Sequence, residues 1–290
     1  MIPATVLQAI AQVARWLLAY ALLLVVQCGF ESWLAGRLQR RNGPVHWLPR
    51  IVGPRPGLGI VVLGVGLAGG ALLPLAPGMA VYDARDATSG ILVVLALFYT
   101  GTALLALSGN RYPAFSDRGR HLGAAALLSA FPVALILPSL LTAVHILPAH
   151  PDLQPGLQAL LAAQGGWYGM QWIVFIQPLA GVLWVACMQP ITPTAQARRS
   201  LPWQMLKLDR ALLTNTLLLG GWQGPLAAQA AQLGLAYTAL KVIALCALEV
   251  WLESRRFSLD VPRQARRVWT WYVPLAALNL CLTAGLVAML

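Results

Sequence analysis

The sequence predicts an all-α fold, a polytopic transmembrane helical bundle of about eight spans with both termini outside. Three observations predict it. Hydrophobic residues make up 59% of the chain and charged residues 10%, apolar runs long enough to cross a bilayer recur along its length, and basic residues gather in alternate loops. Soluble domains average roughly 45–50% apolar and about 25% charged residues, so a water-soluble core has no room for this excess.

The spans follow from backbone chemistry. A hydrocarbon core of about 30 Å calls for roughly 20 apolar residues in helical form, because each backbone donor and acceptor must be satisfied inside its own segment. Such runs lie near residues 8–31, 57–82, 89–108, 122–147, 167–188, 208–222, 227–252 and 269–289, the sixth being the shortest. Residues 1–15 lack a basic leader and a small-residue cleavage site, so the first run is expected to be a true span. No Ser-rich linker or composition shift divides the chain, and residues 1–290 are read as a single integral membrane domain.

Orientation follows from the 20 Lys and Arg residues. Most fall within residues 37–55, 111–120, 198–210 and 255–267, after the first, third, fifth and seventh spans. The opposite loops, 83–89 and 148–166, hold Arg85 alone among basic residues, beside Asp83, Asp86 and Asp152. Basic residues in short loops stay on the cytoplasmic side, which places both termini outside and the chain, multi-pass, in the cell inner (cytoplasmic) membrane. The same rule accounts for the net charge of +11 without a nucleic-acid partner. Trp167, Tyr168, Trp172, Trp269, Trp271 and Tyr272 fall at span ends, where amphipathic rings anchor at the headgroups.

Few motifs carry independent chemistry. Residues 64–69 read GVGLAG, a literal GxGxxG, but a dinucleotide site requires a strand before it and an acid about 20 residues later. Inside a span, Gly66 and Gly70, with Gly59 and Gly64 nearby, are better read as letting neighbouring helices approach. His46, His121, His145 and His150 are scattered without metal-site spacing, and Cys28, Cys187, Cys246 and Cys281 form no CxxC pair, so no metal site and no disulfide framework is expected. No GxSxG or comparable nucleophile arrangement occurs. No residue is therefore assigned a catalytic role, and the chain is expected to be at most a non-catalytic subunit of an enzyme.

Lys241 stands out because it falls near the middle of the seventh span, where a charge costs roughly 2.5–3.5 kcal/mol on insertion scales. Glu249 and Glu253 lie two and three turns further along the same broad helix face. Two readings stay open, a proton relay or ion path and a structural ion pair. Glu31 closes the first span ahead of the basic stretch from Gly36 to Pro44 and can pair with Arg37 or Arg41, while Asp260 sits among loop arginines that can hold it in salt bridges.

Four segments resemble a known family, the membrane-anchor subunits that respiratory complex I shares with formate hydrogenlyase and other group 4 membrane-bound nickel-iron hydrogenases. They are ESWLAGRLQRRNGP from Glu31, TLLLGGWQGP from Thr216, and Lys241 followed by ALEVWLESRRFSLDVPR from Ala247, with a weaker match in ALSGNRYPAFSDRGRHLGA from Ala106. They occur in the family's order and span roughly residues 25–275. The resemblance implies a heel-like scaffold that docks hydrophilic redox subunits on the cytoplasmic side and joins them to antiporter-like, proton-translocating membrane subunits. It further implies that Glu31 and Arg41 sit near that junction and that Lys241 lines an internal polar path. Glu249, Glu253 and Asp260 are further candidates for the proton path or quinone region. No cofactor is expected in this chain itself, and a quinone is possible only at the interface with a partner.

The departures are equally specific. The family's acid-rich loop after the fifth span is replaced by CMQPITPTAQARRSLPW, residues 187–203, which contains no acid, and the fourth span lacks the glutamate usual there. The resemblance therefore implies either that partners supply the missing carboxylates or that the coupling is lost. The basic replacement makes Arg198, Arg199, Lys207 and Arg210 candidate docking-loop residues for an acidic face of a soluble partner. The alternative function is a stand-alone membrane transporter or ion channel, although no internal repeat of the transporter kind is present.

Overall fold

The computed structural model describes residues 4–38, 48–49, 56–77, 79, 81, 93–98, 100–101, 104, 161, 200–224, 230–255 and 268–287. These are mostly helical, and no strand forms among them. The runs near 122–147 and 167–188, and most of that near 89–108, lie outside the described residues.

Helix α1, Ala4–Leu38, and helix α4, Ala230–Arg255, contain Val6–Leu38 and Leu233–Trp251, the two described segments long and apolar enough to cross a membrane. The first, at 33 residues, is about 50 Å long at 1.5 Å per residue. Helix α2, Pro56–Ala71, is shorter than the run from 57 to 82 led us to expect. It stops where Gly69 and Gly70 precede Pro74 and Pro77, and its last carbonyls are taken up by tight turns, Leu72 N–H to Gly69 O and Leu73 N–H to Gly70 O. Proline removes a donor and clashes with the preceding turn, so the helix cannot continue through this sequence.

Helix α3, Leu201–Leu218, begins seven residues before the expected start at 208. Ser200 is extended at its N-cap and proline falls in its first turn, where a missing N–H is harmless. It ends at Gly220 and Gly221, with φ of 73° and 56°. Only glycine adopts that region without strain, and both Leu219 N–H and Gly221 N–H fold back to Asn215 O. A π-helix, Val268–Tyr272, leads into helix α5, Val273–Val287.

Helix α3 is the axis of the described bundle. It packs against α1, α2 and α4, and α1 also packs against α4. The core joins Trp16, Tyr20, Leu23 and Leu24 of α1 to Leu208, Leu212 and Leu213 of α3 and to Val242 and Leu245 of α4, with Leu73 and Leu75 from the turns after α2. The glycine face of α2 permits close approach as expected at three positions. A Cβ on Gly59 would meet Pro202 at 3.8 Å, one on Gly66 would meet Asp209 at 3.4 Å, and one on Gly70 would lie 2.8 Å from Asp209 and 2.9 Å from Tyr20. Gly64 faces open space.

The buried face of α1 is mostly apolar, with Trp16, Ala19, Leu23 and Leu24 beside a few polar groups. Tyr20, Gln27 and Cys28 are buried on its inner face, while Leu7, Ile10, Leu18 and Leu22 are exposed on the outer one, Leu18 to 74%.

Candidate functional site

The inner faces of α1, α3 and α4 meet around charged side chains. On α3, Lys207, Arg210 and Thr214 follow one another at spacings of three and four, which places them on one stripe. Lys207 Nζ lies 3.0 Å from Glu31 Oε1 of α1 and 3.5 Å from Glu249 Oε2 of α4. Arg210 closes the network by donating to the other oxygen of Glu249. The Lys207 side chain is 3% exposed, and those of Glu249 and Arg210 are equally well buried. Two acids and two bases thus balance inside the bundle. Ions removed from water are tolerated in this way, because the mutual attraction grows as the surroundings lose polarity.

Lys207 and Arg210 therefore occupy a different place from the one the sequence led us to expect. They are part of a buried helix and direct their charge to Glu31 and Glu249 rather than to a docking loop. Arg198 and Arg199 lie outside the described residues, as do Arg41 and Asp260. Glu253 belongs to α4, but its side chain is outside the described set.

Around the ion network runs a second polar layer that sequence reasoning missed. Tyr20 O–H donates to Asp209 Oδ1 at 2.7 Å, and Gln27 Nε2 donates to the Gln204 carbonyl and side-chain oxygens at 3.5 and 3.4 Å. Thr214 O–H donates to Arg210 O at 2.8 Å. Among the described residues, one Glu31 oxygen, the Gln27 side-chain oxygen and both side-chain amide atoms of Asn215 are buried with no hydrogen-bond partner. Buried polar atoms of this kind commonly hold internal water. The available signal was three charges, Lys207, Asp209 and Arg210, inside a stretch otherwise able to form one helix.

Lys241 does not join this network. Its Nζ donates to three backbone carbonyls, Leu219 O at 2.7 Å, Gly221 O at 2.8 Å and Gln223 O at 2.7 Å. Glu249 stands eight residues further along α4, about 12 Å along the axis, and is engaged by Lys207 and Arg210. The expected shared face of Lys241 and Glu249 thus divides into two tasks, one tying the turn after α3 to α4 and the other holding α3 against α4.

Among the described residues no three His, Cys, Asp or Glu side chains converge as a metal site would require. Cys28 and Cys246 are buried thiols, and Cys281 is exposed. Neither comparison with known protein families nor comparison with curated proteins finds a match to this chain.

Proposed function

We propose that this chain is a membrane-anchor subunit of a complex I-like or group 4 hydrogenase-like redox assembly, docking hydrophilic redox subunits on the cytoplasmic side and linking them to antiporter-like proton-translocating subunits. One observation carries the reading. The described parts of the three main segments that resemble the membrane-anchor family, far apart in sequence, meet in the same bundle. Glu31 of the first and Glu249 of the third share Lys207, while Lys241 of the third clasps the GGWQ turn of the second.

The membrane setting is supported by the two long apolar helices and by the exposed leucine and isoleucine side chains on the outer face of α1, which a lipid solvent accommodates. On this reading the chain crosses the cell inner membrane about eight times with both termini outside. The buried acids Asp209 and Glu249, with the partly buried Glu31, then form part of an internal polar path, and a quinone belongs at a partner interface.

Purification of the tagged full chain from native membranes in mild detergent tests the proposal. Hydrophilic redox and antiporter-like subunits are the expected companions, and recovery with neither overturns it. The buried ion network also favours a second reading, a stand-alone transporter, since it is completed within one chain. Ion flux into liposomes containing this chain alone separates the two, being expected only of the transporter.

A further inference from the structure

We propose that the turn after α3 is a monovalent-cation site built from backbone carbonyls, with the ammonium of Lys241 as its tethered resident. Three carbonyl oxygens from alternate residues, 219, 221 and 223, converge on Nζ at 2.7–2.8 Å. A lysine ammonium has three N–H donors and no acceptor, so each donor meets one carbonyl.

Alternate carbonyls point to one centre only where the backbone leaves the helix. The left-handed Gly220 and Gly221 impose that departure. The geometry is held from outside as well, since a side chain at Gly221 would run into Leu161 at 2.7 Å. Trp222, beside the cradle, is buried and lies over Gly234 of α4.

No salt bridge to Lys241 forms among the described residues. The three groups that meet Nζ are backbone carbonyls, neutral dipoles. Carbonyl dipoles replace the hydration shell of a weakly hydrated monovalent ion, as in potassium filters, whereas divalent ions select charged oxygen ligands. Ammonium and the similarly sized potassium ion are the ligands this cradle fits once the lysine head is removed. Among the described residues the cradle is formed by the turn and Lys241, whether or not the chain serves as an anchor.

The test uses the full chain in detergent micelles, as wild type, Lys241→Ala and Lys241→Met, unfolded by heat in ammonium, potassium, sodium or choline chloride at equal ionic strength. Lys241→Ala opens the cradle, whereas methionine keeps it filled with an uncharged stem. Lys241→Ala is expected to gain roughly 2–4 °C in Tm, saturably, in ammonium or potassium over choline. Wild type and Lys241→Met are expected to show no such ion-specific gain. Equal Tm of Lys241→Ala in all four salts, or an equal gain in Lys241→Met, overturns the proposal. If Lys241→Ala does not fold in choline, refolding yield in the same salts becomes the readout. Recovery confined to ammonium or potassium supports the cradle, and recovery in none or in all of them overturns it.

Discussion

Glu249 holds two cations on one carboxylate in a buried setting, so its removal leaves Lys207 and Arg210 without their shared counter-charge. Breaking a buried ion pair on one side costs about 3–5 kcal/mol, whereas replacing both partners with apolar groups is often neutral. Glu249→Gln is therefore expected to destabilise the chain by about 3 kcal/mol or more in micelles, read by thermal or denaturant unfolding. The double variant Glu249→Leu with Arg210→Met should recover a large part of that loss. Glu31, whose side chain is 19% exposed and meets Lys207 among the described residues, should cost less when changed to Gln. A smaller loss in Glu249→Gln than in Glu31→Gln would contradict this ranking. Lys241 and Glu249 could be singled out in the sequence because charges stand out in an apolar helix. The partners of Glu249 could not, since Lys207 and Arg210 also read as ordinary loop cations.

At the level of elements, α2 and α3 meet through glycine. A methyl at Gly70 has no room, with Asp209 Oδ1 at 2.8 Å and the Tyr20 ring at 2.9 Å from the ideal Cβ position. Gly70→Ala should therefore cost about 1–3 kcal/mol through overpacking and disturb the Tyr20 to Asp209 hydrogen bond. Gly64, on the open side of the same helix, should behave oppositely. Gly64→Ala is expected to be neutral or to stabilise by up to about 1 kcal/mol, because alanine loses less backbone entropy in a helix. Tm values of the two variants check both statements, and equal losses would remove the distinction between the two faces. That α2 packs through small residues could be read from its glycine spacing. Which glycines touch a neighbour could not, because the spacing is shared by both faces until α3 arrives. The early start of α3 has the same origin: charges at 207, 209 and 210 look like a span boundary until Glu31, Tyr20 and Glu249 are brought beside them.

For the whole molecule, the exposed apolar side chains of the described helices are the decisive property. Cys281 is exposed on α5, among exposed Leu275, Leu278 and Leu282. In a variant retaining Cys281 as its sole cysteine and reconstituted in bilayers, a lipid-soluble maleimide should label it while a charged, membrane-impermeant thiol reagent should not. Equal labelling by both would place this face in water and remove the membrane reading. Loop arginines should be protected from protease added outside intact cells, and cleavage there would reverse the proposed orientation.

The sequence by itself determined the helical character of the described elements and the two apolar helices long enough to cross a membrane, because hydrophobic runs and glycine or proline stops act over a few neighbouring residues. It also singled out Glu31, Lys241 and Glu249 as charges needing an explanation. Only the tertiary structure decided how each is neutralised. Glu31 meets Lys207 across 176 positions in the chain, and Lys241 turns to carbonyls instead of acids. Desolvation makes a buried charge demand a partner, but which partner it finds depends on how distant helices pack, and that choice is not written in any local pattern.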